Sequence, residues 1–421
     1  MTAAIQSVEF SAPGGRASRR RWLVGLAAAA VLWFDPSSGV AKAVLWTAGL
    51  YALWNWRRTW AAWKNPAGVL LALGTAWAVV SVAWSIEPSG SARDLLKSAP
   101  MALAALAAPV VFDRPGRVWA ALVASAGMIT LRLTVDMVRL LAELGWPAVM
   151  AQARFCHPYL YTHPNVTSMM AGLCVFVFAA RWLAGAPGMG CKLALASGLA
   201  LDLAYLAMMG SRGPQAVFAL VALVFPVASL PGWRTRAAAA LVVTALGAGL
   251  WQTADRINPR FRDRTMENFT FRDKVWRHAG KLANRHPVVG NGFGKRAFVK
   301  ALYDNPEHQP PRIWFRFPHA HSYWLMLYFQ GGTVGLALWS LGWAALAVRL
   351  GRGMARARQG VAPWGERLRA PLLPLLLGSG MAFILIYGIA DYPDSVIRQA
   401  LFYLAGLAMV PIPAPATASA P

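Results

Sequence analysis

Apolar residues along this chain fall in long runs, each closed by a short basic or Pro/Gly-rich loop. A helix that crosses a bilayer needs roughly 20 apolar residues, and a spanning helix satisfies its own backbone groups. The runs at 22–34, 40–56, 67–85, 95–112, 118–141, 166–183, 193–209, 215–230, 237–251, 323–348, 371–389 and 396–410 predict about twelve such helices. The expected fold class is an all-α polytopic membrane protein. One long polar stretch breaks the rhythm and predicts a large, partly helical loop between spans nine and ten. Within it Val275, Trp276, Ala279, Leu282 and Ala283 recur at helical spacing with cations opposite, which predicts an amphipathic helix on the membrane surface. The chain divides into helices one to nine (1–251), the loop domain (252–320), helices ten to twelve (321–412) and a disordered Pro/Ala tail (413–421).

Charge sharpens this picture. Only 14% of residues are charged, against about a quarter in a soluble protein, and the net charge is +24. Such a balance raises nucleic-acid binding, but most of the cations lie in loops between apolar runs, where they set orientation or meet anionic lipid. No nucleic-acid partner is expected; membrane lipids are. Arg19–Arg21 precede the first run, Arg57, Arg58 and Lys64 follow the second, and Arg114 and Arg117 the fourth. Arg181 and Lys192 follow the sixth, Arg234 and Arg236 the eighth, and a cluster from Arg349 to Arg369 the tenth. Every even-numbered loop is basic, so both termini are expected in the cytoplasm and the odd loops on the opposite face. The first run, short and preceded by arginines, has the look of a signal peptide, but the orientation works with it kept as a helix. The three cysteines form no C-x-x-C pair, so neither a disulfide framework nor a zinc motif is predicted.

That orientation gathers residues that are distant in sequence. Arg154, His163, Arg212, Arg272, His319, His321 and Asp391 all fall on or near the outer face. His321 stands at the mouth of the tenth helix, where polar groups are expected and where an imidazole can move a proton near neutral pH. Arg132, Asp136 and Arg139 share one face of span five; they form either a structural ion pair with a snorkelling arginine or substrate contacts. Arg212, in the tight turn Ser211-Arg212-Gly213-Pro214, is either helix punctuation or a guanidinium held to grip phosphate. His163 caps a helix or touches ligand. The stretch His286 to Gly294 lacks the strand and the lysine–serine pair of a phosphate loop, and predicts a turn re-entering the membrane face. His319-x-His321 has half the look of a metal site, but no companion carboxylate motif is present, and no metal is expected.

Taken together these residues resemble the O-antigen ligase family, within a superfamily that also holds O-antigen polymerases and protein O-oligosaccharyltransferases. The likeness rests on His321-Ser322 followed by Gly332-Thr333-Val334-Gly335, on Ser211-Arg212-Gly213, on Arg272 to Gly294 with Trp276 and His286-Pro287, and on His163-Pro164-Asn165. The resemblance implies transfer of a glycan from undecaprenyl pyrophosphate to a sugar of lipid A–core at the periplasmic face of the inner membrane. It implies His321 as general base, Arg212 and Arg272 on the leaving pyrophosphate, inversion at the anomeric carbon, and no cofactor. Substrate contacts are expected from Arg154, His163, Arg132, Asp136, Arg139, His319 and Asp391. A polymerase of the same superfamily is the alternative. From another class, a transporter of lipid-linked glycan would place its charges near the midplane.

Overall fold

The computed structural model describes residues 16–152, 163–185, 188–230, 232–257, 270–304, 318–359, 369–392 and 395–411. Among the described residues the fold is all helix. In chain order the helices are α1 (Arg16–Phe34), α2 (Gly39–Trp54), α3 (Trp56–Trp63), α4 (Pro66–Val80), α5 (Pro88–Val111), α6 (Pro115–Gln152) and α7 (Pro164–Leu183). There follow α8 (Gly188–Met208), α9 (Arg212–Ser229), α10 (Trp233–Ile257), α11 (Thr270–Ala283), α12 (Lys295–Tyr303), α13 (Tyr323–Arg358), α14 (Leu372–Ala390) and α15 (Ser395–Ala408). Every apolar run of the sequence is a helix. Among the described residues seven helices are long and apolar enough to cross a membrane, with the apolar helices Arg212–Phe225 and Ser395–Ala408 shorter. The count is of the described residues; α1 carries arginines into its length, and α2 has only 16 residues.

Local chemistry sets the helix starts. Proline stands at the first position of α4, α5 and α7, where a missing N–H costs nothing. Asn65 caps α4 by accepting from the Gly68 N–H, and Ser38 caps α2 through Ala41. The helix α7 is buried nearly all round and forms the centre of the bundle. Its Phe176 stacks on Phe218 of α9 at 5.0 Å and meets Phe383 of α14 edge-on at 5.8 Å. Large apolar side chains such as Val24, Leu50, Leu193 and Leu241 are exposed instead on the outer helices, a surface suited to lipid.

The helix α13 is broken at Gly332, whose φ of 62° lies outside the helical range. A break inside an apolar bundle strands backbone groups, and each must find a partner. The segment 286–294 supplies them. Asn291 N donates to Phe329 O at 2.8 Å and Gly292 N to Gln330 O at 3.2 Å; Thr333 N donates to Pro287 O at 2.7 Å and Val334 N to Val288 O at 3.3 Å. The indole of Trp77, on α4, donates to Gly331 O at 2.9 Å. The Gly-rich stretch is thus a backbone patch on a broken helix, and it ties α11 and α12 to the half of α13 that begins after His321. Gly290 is required there. Its φ is +77°, and a Cβ would lie 2.5 Å from the carbonyl of Gln330, which the helix holds in place. Gly290→Ala is expected to destabilise the protein by about 2–4 kcal/mol, combining left-handed strain with the clash. Thermal unfolding in detergent measures it; a midpoint within a degree of wild type would show that the patch yields.

The helix α11 departs from the expected membrane-surface helix. Val275, Ala279, Leu282 and Ala283 are buried, packed against α13 and α12 within the protein. The apolar stripe is covered by protein, which removes the drive to lie in lipid.

Candidate active site

The starts of α7, α9 and α13, the end of α14 and the first turns of α11 meet at one end of the bundle. Asp391, which closes α14, is the hub. Its Oδ1 accepts from the Tyr392 N–H at 2.9 Å and lies 3.1 Å from His321 Nδ1. Its Oδ2 accepts from the Tyr387 hydroxyl at 2.6 Å, from Asn165 Nδ2 at 3.2 Å and from Arg272 Nη2 at 3.3 Å. Burial alone would raise the pKa of Asp391. The hydrogen bond from His321 and the charge of Arg272 outweigh it and hold the carboxyl below the usual carboxylate range. An ionised carboxylate only accepts, so His321 Nδ1 carries the proton and donates it. In the neutral form of such a ring the lone pair is on Nε2, on the edge away from Asp391.

The backbone at His321 is held in an unusual form. Its φ is 49°, and among the described residues it is the only non-glycine with positive φ. Three bonds fix it there. His319 Nδ1 accepts from the His321 N–H at 3.2 Å, the Trp276 indole donates to the His321 carbonyl at 3.1 Å, and two residues on the Tyr323 N–H donates to the Asp391 carbonyl at 3.1 Å. Ser322 caps α13 directly afterwards through the Leu325 N–H. Strain concentrated at one residue and maintained by its surroundings is a mark of functional sites. His319 packs at 4.4 Å between ring centroids from His321 and 5.1 Å from Tyr392. Burial, with the His321 ring and the charge of Lys295 close by, pushes its pKa down to about 3, so the ring is neutral and, with Nδ1 accepting, protonated on Nε2.

The network therefore joins His321, His319, Asp391 and Arg272 of the predicted set. Arg212 is the first residue of α9, and the adjacent Gly213 lies against the Tyr387 ring, where an added Cβ would be 3.0 Å away. His163 caps α7 through the Asn165 N–H at 3.1 Å, and it thereby sets the residue that reaches Asp391. Arg132 and Asp136 pair with each other at 2.7 Å on α6, and the guanidinium of Arg132 lies 5.7 Å from the Phe34 ring of α1. Arg139 is exposed on the same helix. Arg154 lies outside the described residues. Asn165 and Trp276 stood in the motifs that carry the resemblance without a site role, and Tyr387 was absent from the expected site. The Tyr387–Asp391 spacing, one helical turn, was the available signal for one of them.

His319, His321 and Asp391 each offer a donor atom, all within 4.8 Å of one another, which is also the spacing of a cation site. Both oxygens of Asp391 already carry hydrogen-bond donors, one of them a guanidinium. The arrangement reads as an imidazole–carboxylate pair beside a fixed positive charge.

Residues 197–340 match the O-antigen ligase family model. The match covers about a third of the chain, and over that stretch the chain is similar to the O-antigen ligase family. Members of that family are glycosyltransferase-like enzymes of O-antigen processing. None of the curated proteins compared with the chain matches it. The family segment includes Arg212, Arg272, His319 and His321, whereas Asp391, Tyr387 and Asn165 lie outside it. The carboxylate beside His321, and two of the groups that donate to it, thus come from parts of the chain beyond the matched segment.

Proposed function

We propose that this protein is an O-antigen ligase: it transfers a glycan from undecaprenyl pyrophosphate to a sugar hydroxyl of lipid A–core at the periplasmic face of the bacterial inner membrane. The observation that carries this reading is the His321–Asp391–Arg272 network, built at one end of an apolar helical bundle and within reach of the superfamily segment. Asp391 fixes the proton on His321 Nδ1, and Nε2 takes the proton of the acceptor hydroxyl. The acceptor oxygen attacks the anomeric carbon as the bond to the phosphate oxygen breaks, which inverts that centre. The departing pyrophosphate gains charge, and Arg272 and Arg212 stabilise it. A lipid-borne donor and a lipid-borne acceptor both suit a site at the end of membrane helices. The alternating basic loops support a periplasmic location for that end.

Reconstitution of the purified protein with lipid-linked glycan and lipid A–core tests the reading. Glycan is expected on lipid A–core, at a rate that a chelator leaves unchanged. Loss of transfer in chelator, restored by a divalent cation, would reassign the two histidines and Asp391 to a metal centre. The superfamily also holds polymerases, and a deletion strain separates the two. A missing ligase strands long glycan on its carrier; a missing polymerase leaves single repeat units.

A further inference from the structure

The burial of α11's apolar face leaves its opposite face turned away from the protein core. Lys274, Arg277, Lys281 and, two residues past the helix, Arg285 recur on that face, and all four are exposed. The carboxylate next to them on the helix is Asp273, which pairs with Arg277 at 3.4 Å. The stripe starts beside Arg272 and Trp276, which reach the catalytic network from the other side of the helix, and it runs roughly three turns along α11. It ends at a recess of about 460 Å³, open to solvent, whose lining includes Leu282, Arg285, His286, Asn291, Lys300 and Asp304.

The recess differs from a simple anion site. Lys300 donates to Asp304 at 2.6 Å and lies 3.9 Å from Glu87, so cation and carboxylates stand side by side. The Asn291 amide nitrogen is bonded to the carbonyls of Leu282 and Phe329 at 3.3 Å each, which leaves its oxygen to accept. Donors and acceptors on one concave surface match sugar hydroxyls, which both give and take hydrogen bonds. A row of exposed cations matches phosphate groups. The apolar face of α11 is covered by protein, which leaves Val288 and Val289, just past Arg285, as the exposed apolar groups beside the cations.

We propose that this face of α11 and the recess at its end form a docking site for a phosphate-bearing oligosaccharide, the polar part of the acceptor glycolipid. The assignment to the acceptor rests on the transfer reading above; the recognition chemistry does not. The site would hold the acceptor some two to three turns of helix from His321 and present its terminal sugar to the base.

The test uses the full-length protein in phosphatidylcholine nanodiscs and two soluble probes: a phosphorylated core oligosaccharide, and the same oligosaccharide after chemical dephosphorylation. Wild type is expected to bind the phosphorylated form at least about tenfold more tightly. The exposed triple substitution Lys274→Gln, Lys281→Gln, Arg285→Gln is expected to erase that preference. Equal affinity of wild type for the two probes overturns the proposal, and so does a triple variant that keeps the preference. Nanodiscs containing phosphatidylglycerol form a further arm: preference lost there in wild type assigns the cations to lipid head groups and overturns the saccharide site. Preference retained in those nanodiscs supports it. Binding is read without transfer, so a protein that binds with the expected selectivity yet transfers nothing would refute the ligase reading and leave this site standing.

Discussion

Replacing His321 by alanine is expected to lower glycan transfer by about 10³-fold or more, with donor binding changed only a few-fold. A positioned general base contributes roughly 10² to 10⁴, and a sugar hydroxyl is too weak a nucleophile to dispense with it. The backbone complicates a simple alanine test. At φ 49° His321 occupies the left-handed region, where alanine is disfavoured by about 1–2 kcal/mol and asparagine is tolerated. His321→Asn is therefore the sharper variant. It keeps the turn and offers an amide to Asp391, but no lone pair able to accept a proton at neutral pH. The expected pair of results is an alanine variant with a lowered unfolding midpoint and an asparagine variant close to wild type, both inactive. Initial rates with purified protein in nanodiscs, alongside thermal unfolding, decide it. An asparagine variant within tenfold of the wild-type rate would remove His321 from the role of base.

Much of this was legible in the sequence, and the limits are physical. Runs of apolar residues must become helices in lipid, so every run did. Length and charge then decide which helices can span, and a bare count of runs ignores both. His319, His321 and Arg272 stood out because ionisable groups at the mouth of an apolar helix need a reason. The hub was harder to see. Asp391 appeared as one outer carboxylate among several polar groups, while its partners Tyr387, Asn165 and Arg272 come from three separate helices. No local pattern encodes that meeting. The Gly-rich stretch 286–294 was legible as a turn but not for what it turns against: its glycines serve contact with a break in α13, and Gly332 lies some forty residues further on. The apolar stripe of α11 was correctly found, but a stripe does not declare whether protein or lipid will cover it.

Asp391→Asn should be as damaging to catalysis as loss of the base, although it removes no atom and no volume. All five neighbours of the carboxylate now donate to it. An amide has one accepting oxygen, so its NH₂ must face donors on one side or the other. Turned toward Oδ2's partners it meets Arg272, which cannot accept, and the guanidinium loses its counter-charge. Turned toward Oδ1's partners it meets the Tyr392 N–H, which cannot accept either. There it also forces His321 to present a lone pair at Nδ1, and the proton moves to Nε2, where the base is needed. The second outcome predicts a fall in kcat of about 10³- to 10⁴-fold, the scale set by a mis-tautomerised catalytic imidazole, and it is the orientation expected because it leaves the accepting oxygen to Arg272, Asn165 and Tyr387. A stability loss of about 2 kcal/mol should accompany it, less than the removal of one partner from a buried ion pair because part of the hydrogen bonding survives. The stability difference should also depend on pH in a definite sense. The carboxyl is held below its ordinary value of 3.8, so its contribution is complete above that value and is lost as pH falls below it. Wild type and variant should converge in unfolding midpoint below about pH 4 and stand apart above it. A variant within about threefold of the wild-type kcat, or a midpoint difference that grows on acidification, would mean that Asp391 neither orients the imidazole nor stays ionised in the folded protein.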